Sequence, residues 1–276
     1  MFAFLVRKWV AGEHVWDAID KAIEYNTQKV SVLVNELGEH IRDEGRVRDV
    51  VKEYLDLLDI MKQRNIDGCI SVKLTQLGLE IDREYCYENT REIVGHAGEN
   101  KKFVWIDMED SRYTDDTLDI YLRLLGKFEN IAVCIQSNLR RSEGDVEEIL
   151  ARGGKIRLVK GGYRENPRIA YDSRERIEEN IRKLMRLIFE RGDNFAIATH
   201  DDKLIYEAVE LNRVHNKNVE FQMLMGIRDD LRRRLVAEGH RVGVYLPYGK
   251  DWFHYCYRRI RERPSNILLV IRSILP

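Results

Sequence analysis

Eight times along this chain a short apolar run ends in a polar or charged residue and gives way to a helix-like stretch. The runs span 31–38, 69–76, 103–109, 131–137, 155–161, 195–200, 219–224 and 241–249. Their polar ends include Lys73, Asp107, Gln136, Arg157, Lys160, Thr199, His200, Gln222 and Tyr245. Eight strands alternating with helices predict an α/β fold, a (β/α)8 TIM-type barrel. Side chains at the C-terminal ends of barrel strands converge on one mouth, where such proteins place their chemistry. A charge in a strand built to be buried costs roughly several kcal/mol unless it is paired. That cost recurs at one end of nearly every run, which points to a shared site.

The stretches between the runs carry helical periodicity. Residues 13–29 open as an N-terminal helix, with Ala18, Ala22 and Val30 on one face. Residues 46–64 hold Val47, Val50, Val51, Tyr54, Leu57, Leu58 and Met61 at 3.6-residue spacing. Further helices are expected over 82–98, 114–127, 142–152, 173–191, 202–215, 227–238 and 251–263. Asp82, Thr114, Ser142 and Ser173 are the expected N-caps, and Gly153, Gly192 and Gly239 the expected stops. A length of 276 residues is near the barrel norm of about 250, so one domain over 1–276 is expected.

Hydrophobic residues make up 44% of the chain, enough to fill a core. The formal net charge of −1, with basic and acidic residues interleaved, gives no bulk field favouring nucleic acid. Cys69, Cys86, Cys134 and Cys256 lie far apart without a Cys-x-x-Cys pair, which reads as reduced thiols in a cytosolic protein. No apolar run approaches the ~20 residues of a membrane span, and the short run at 267–271 reads as packing on the barrel.

Three groups of residues carry chemical meaning. Arg157 and Val159 share one strand face, and Arg157 and Lys160 stand beside Gly161 and Gly162. That arrangement suits an anionic or electron-rich ligand approached by backbone, and equally suits two ordinary barrel ion pairs. Asp107, Glu109 and Asp110 are read as charge-pair partners in preference to a metal set, and no His-Glu-x-x-His or zinc spacing occurs. On the last helix Tyr255, Arg258, Arg259 and Glu262 share a face, and an arginine pair there can grip a carboxylate or phosphate bidentately. Arg232, Arg233 and Arg234 are read as a solvated basic face. From these residues alone, redox chemistry, Schiff-base chemistry at Lys73 or Lys160, and plain anion binding all stay open.

Taken in order, the segments resemble the proline dehydrogenase family. The matching pieces include Asn-Glu-Leu-Gly-Glu at 35–39, Ser-Val-Lys-Leu-Thr at 71–75, Asp-Met-Glu-Asp-Ser at 107–111 and Cys-Ile-Gln at 134–136. They continue with Arg-Leu-Val-Lys-Gly-Gly-Tyr at 157–163, Ala-Thr-His-Asp at 198–201 and Glu-Phe-Gln-Met-Leu at 220–224. Val-Tyr-Leu-Pro-Tyr-Gly at 244–249 and Tyr-Arg-Arg-Ile-Arg-Glu at 257–262 complete the series. The resemblance implies a distorted barrel that holds FAD non-covalently and oxidises L-proline to 1-pyrroline-5-carboxylate. It implies that the proline carboxylate meets Lys73, Arg258 and Arg259, with Asp107 near the lysine and the substrate amine. Tyr163, Leu224, Tyr245 and Tyr255 would form the ring pocket, and Glu262 would hold an arginine. Asp107, Gln136, Arg157, Lys160, Gly161, Thr199, His200 and Gln222 would contact the flavin. Electrons would pass to a quinone-type acceptor, with a cytoplasmic protein touching the inner face of the cell membrane. A monofunctional chain is expected, its product going to a separate pyrroline-5-carboxylate dehydrogenase. Gly162 departs from the family's usual alanine, and the bulk of Tyr245 argues for proline over hydroxyproline.

Overall fold

The structure, a computed structural model, describes residues 8–253 and 255. Arg258, Arg259, Glu262, Cys256 and the run at 267–271 lie outside the described residues. Helix α1 (Val15–Thr27) precedes the first strand. The strands are β1 (Ser31–Glu36), β2 (Gly68–Val72), β3 (Val104–Ile106), β4 (Ile131–Gln136), β5 (Ile156–Val159), β6 (Asn194–Ala198), β7 (Asn218–Leu224) and β8 (Arg241–Tyr248). Between them run α2 (Glu44–Gln63), α3 (Arg83–Glu99), α4 (Thr114–Leu125), α5 (Ser142–Ala151), α6 (Arg174–Arg191), α7 (Asp202–His215) and α8 (Asp229–Ala237). All neighbouring strands are parallel, and β8 pairs back onto β1, with Leu33 opposite Tyr245, to close the barrel. This is the α/β barrel with an N-terminal helix that the sequence predicts.

Strand alternation divides the core in two. Val32, Val34, Ile70, Val72, Ile106 and Val133 pack outward into one large cluster shared with the helices. Leu33, Trp105, Ala132 and Ala196, on the opposite strand faces, form a second cluster inside the barrel. Two residues beyond Trp105, Ala132 and Ala196, the side chains of Asp107, Cys134 and Ala198 reach the mouth.

Several local expectations change. The run at 69–76 is not one strand: β2 stops at Val72, and Leu74–Gln76 forms a 3-10 turn that carries the chain outward after Lys73. Asp82 and Ser173 cap α3 and α6 by accepting the Tyr85 and Arg176 amides. Thr114 and Ser142 instead sit inside the first turns of α4 and α5. A 3-10 turn at Ser111–Tyr113 already leads into α4, and the Ser142 hydroxyl donates to the Gln136 carbonyl at 2.5 Å. Arg232 is not part of a solvated face: it is buried, donating to Asp229 at 3.2 Å and Gln28 at 3.0 Å over the Tyr25 ring. Cys69, Cys86 and Cys134 are free thiols. Among the described residues, no helix is long and apolar enough to cross a membrane.

Candidate active site

A cavity of about 230 Å³ opens at the C-terminal ends of the strands. Lys73 follows β2, Asp107 follows β3 and Gln136 ends β4, and all three line it. Arg157 lines it from within β5, and Lys160, Gly161 and Tyr163 from the loop after that strand. His200 follows β6, Gln222 and Leu224 come from β7, and Tyr245 comes from β8. Tyr255 adds a wall from beyond β8. Thr199 is not among the lining residues; its hydroxyl accepts the Asp201 amide at 3.3 Å, a turn-forming contact.

Asp107 is the hub. Its Oδ1 accepts from the Ser71 hydroxyl at 2.7 Å and from Arg157 Nη2. Its Oδ2 accepts from the Tyr245 hydroxyl at 2.7 Å and lies 3.4 Å from Lys73 Nζ. Four donors therefore occupy the two oxygens of one carboxylate, which is near its full capacity. Burial alone would raise its pKa, but Arg157, then Lys73, then the Ser71 and Tyr245 hydrogen bonds outweigh that and hold it at about 2. A buried charge is stable here because it is paired and hydrogen-bonded.

The partners are fixed in turn. Lys73 Nζ also donates to Asn35 Oδ1 and to the Tyr245 oxygen, each at 3.3 Å. Burial would push its pKa down, but Asp107 and Glu39 push it up. The ammonium form is thereby favoured, the reverse of what a Schiff-base lysine needs. Arg157 lies with its guanidinium carbon 5.2 Å from the Trp105 ring centroid and 5.9 Å from that of Tyr245. Burial raises Tyr245 well above an ordinary phenol, so it stays protonated and donates to Asp107.

Around this hub the rim is held by backbone-directed side chains. Gln136 Nε2 donates to the Glu109 carbonyl at 2.9 Å and its Oε1 accepts the Gly162 amide at 3.3 Å. Lys160 donates to Asp201 at 2.6 Å and lies 3.7 Å from Glu178. The Leu224 amide donates to His200 Nε2 at 3.0 Å, so a neutral His200 carries its proton on Nδ1. Gly161 has φ +102°, and a Cβ there would lie 2.0 Å from Asn138 Oδ1, so only glycine lets the loop pass. Arg157 and Lys160 thus do both things their segment allows: each is ion-paired and each faces the cavity.

Asn35, Ser71 and Tyr54 were not singled out by sequence as site residues, and Glu109, expected as a charge-pair partner, instead accepts from the amide and hydroxyl of Thr75. Asn35 bridges Lys73 to the Tyr54 hydroxyl at 3.4 Å, and Ser71 bridges Arg157 to Asp107. Alternation was the available signal: Ser71 shares its strand face with Lys73.

The same residues can be tested against a flavin. Arg157 Nη1 and Gln222 Oε1 are buried without a hydrogen-bond partner among the described residues. Orphaned buried polar atoms are uncommon in native structures. A donor and an acceptor without partners, on two residues that line one cavity beside two glycines, fit a flat ring with hydrogen-bonding edges.

The family model for proline dehydrogenase matches residues 18–268. Proline dehydrogenase 2 of Bacillus subtilis is 36% identical over 270 residues, 97% of this chain and 89% of the relative. Proline dehydrogenase of Deinococcus radiodurans is 34% identical over 279 residues, 98% of this chain and 90% of the relative. The fold matches a crystal structure of proline utilization A (PutA) from Bdellovibrio bacteriovorus inactivated by N-propargylglycine, with TM-score 0.88 at 22% identity over 95% of this chain. A PutA structure from Bradyrhizobium japonicum matches with TM-score 0.83 at 17% identity. The chain spans about a third of the length of those PutA chains.

Proposed function

The chain belongs to the proline dehydrogenase family, and on that footing we propose that it oxidises L-proline to 1-pyrroline-5-carboxylate at the barrel mouth with FAD as cofactor. It is an oxidoreductase acting on a CH–NH bond, at the first step of proline catabolism. The observation that carries the fuller reading is the Lys73–Asp107–Arg157–Tyr245 cluster lining one cavity beside two orphaned polar atoms. Bound FAD would supply the hydride acceptor, with Gln136, Arg157, Lys160, Gly161, His200 and Gln222 as its holding residues.

The chain's own residues bind, orient and shield. Lys73, with Arg258 and Arg259, takes the proline carboxylate; its bonds of 3.3 Å to Asn35 and Tyr245 are long, so one yields readily to a charged acceptor. Tyr245 spends its hydroxyl on Asp107 and Lys73 and so offers ring surface to the substrate, with Tyr163, Leu224 and Tyr255 completing the wall. The ring carbon next to nitrogen and away from the carboxylate loses a hydride, the nitrogen loses a proton, and a C=N bond forms. Arg157 and Lys73 hold Asp107 ionised well below the usual carboxylate range, which makes it a weak acceptor for that proton. Its role is to fix Tyr245 and Arg157. Glu262 is assigned to hold an arginine of the clamp. The electrons go on to a quinone-type acceptor, and the product to a pyrroline-5-carboxylate dehydrogenase.

The test is an absorbance spectrum of the purified protein before and after L-proline is added without air. Flavin bands that bleach support both cofactor and substrate. Bands that persist remove proline as the reductant. A protein that stays colourless after incubation with FAD removes the flavin reading altogether.

A further inference from the structure

Glu109 is buried at 2% exposure and does not line the cavity. A buried carboxylate persists only where donors meet it. Thr75 supplies two: its amide to Oε1 at 3.0 Å and its hydroxyl to Oε2 at 2.5 Å. Thr75 lies in the 3-10 turn that begins immediately after Lys73, and its hydroxyl oxygen accepts the His40 amide at 3.1 Å. On its other side the Glu109 carbonyl accepts from Gln136, whose oxygen accepts from Gly162. One line of hydrogen bonds thus ties the chain after β1, β2 and β3, the end of β4 and the chain after β5.

Lys73 has need of such a support. Its ammonium meets Asn35, Tyr245 and Asp107 at 3.3, 3.3 and 3.4 Å. Charge-assisted bonds are ordinarily about 2.7–2.9 Å, so none of the three fixes the side chain tightly. Its position is set by the backbone from which it springs, and that backbone is clamped through Thr75.

We infer that Glu109 is a positioning residue, which clamps Thr75 to set Lys73 against Asp107 and accepts from Gln136 to turn that amide's oxygen toward Gly162. The inference rests on the proposed reading of Lys73 as a contact to the proline carboxylate. Glu109 touches neither substrate nor cofactor and acts through Lys73 and Gln136.

Steady-state kinetics with L-proline on flavin-loaded enzyme test it. Thr75→Val and Glu109→Gln should each raise the proline KM roughly tenfold, the size of one lost buried hydrogen bond. Thr75→Ser, which keeps the hydroxyl, should bring KM back toward the parental value, and flavin per chain should hold throughout. Added to Lys73→Ala, Glu109→Gln should raise KM no further, because its effect runs through the lysine. If Glu109→Gln does not fold, the Thr75→Val and Thr75→Ser pair carries the comparison. Parental KM in Thr75→Val and Glu109→Gln, while Lys73→Ala raises it, overturns the clamp alone. An equal further rise in the Lys73→Ala background does the same. Parental KM in Lys73→Ala overturns the lysine's role and the clamp together.

Discussion

At the scale of single residues, Asp107 governs the site because it balances two buried cations. Asp107→Ala leaves Lys73 and Arg157 inside without their counter-charge, and the loss should be about 3–5 kcal/mol. Chemical denaturation of parent and variant measures it, and a loss below about 1 kcal/mol would contradict the hub. The pH sign follows from its depressed pKa. The carboxyl moves from the ordinary 3.8 to about 2 on folding, so its stabilisation is complete above about pH 4 and is lost as pH falls through 2. Stability measured from pH 5 down to 2 should fall less steeply in Asp107→Asn than in the parent. On the proposed carboxylate clamp, Arg258→Ala or Arg259→Ala should weaken proline binding by about 1.5–3 kcal/mol and leave flavin bound. Unchanged proline affinity in both would remove the clamp assignment. Lys73, Asp107 and Arg157 were legible because a charge in an apolar run is costly unless it is paired, so each had to have a partner nearby. Asn35 and Ser71 were not, because a small neutral polar residue in such a run costs little and is common.

At the scale of elements, all eight strands lie on the apolar runs, with β2, β6 and β7 beginning one residue earlier, and the helices between them follow their periodicity. What periodicity could not mark was where a strand ends and its loop begins. Leu74 continues the apolar run beyond Lys73, yet the chain turns there, because Thr75 and Gln76 spend their polar groups on Glu109 and on the Glu36 carbonyl. Those partners come from the chain after β3 and from the end of β1, so no local pattern announces them. The loop after β5 gives a sharper test. Gly161→Ala puts a Cβ against Asn138 in a left-handed backbone, a strain of roughly 1–3 kcal/mol. The melting temperature should fall, and the flavin absorbance per chain should fall with it. Wild-type values of both would mean the loop can shift freely.

At the scale of the whole molecule, we propose that residues 1–276 form one barrel domain. The large outer core runs from α1 to β8, with no break at which a second unit begins among the described residues. Calorimetry should then show one transition, and circular dichroism and tryptophan fluorescence should melt together. Gly243→Val crowds Leu33 and Glu220 from across the β8 junctions, and should shift that single transition downward as a unit. A second transition appearing in its place would mean that the barrel halves are separable.

Closure has a consequence for how the protein comes into being. Asp107 directly follows the third strand, but the hydroxyl that completes its shell is on Tyr245, in the eighth. A chain emerging from the ribosome with seven strands already carries Lys73, Asp107 and Arg157, two cations and one anion, with nothing to seal them from water. The cavity gains the Tyr245 wall only when β8 docks between β7 and β1. On the proposed flavin reading, cofactor capture should therefore be a post-translational event that reports completion of the barrel, and a ribosome-stalled chain that lacks β8 should emerge without colour.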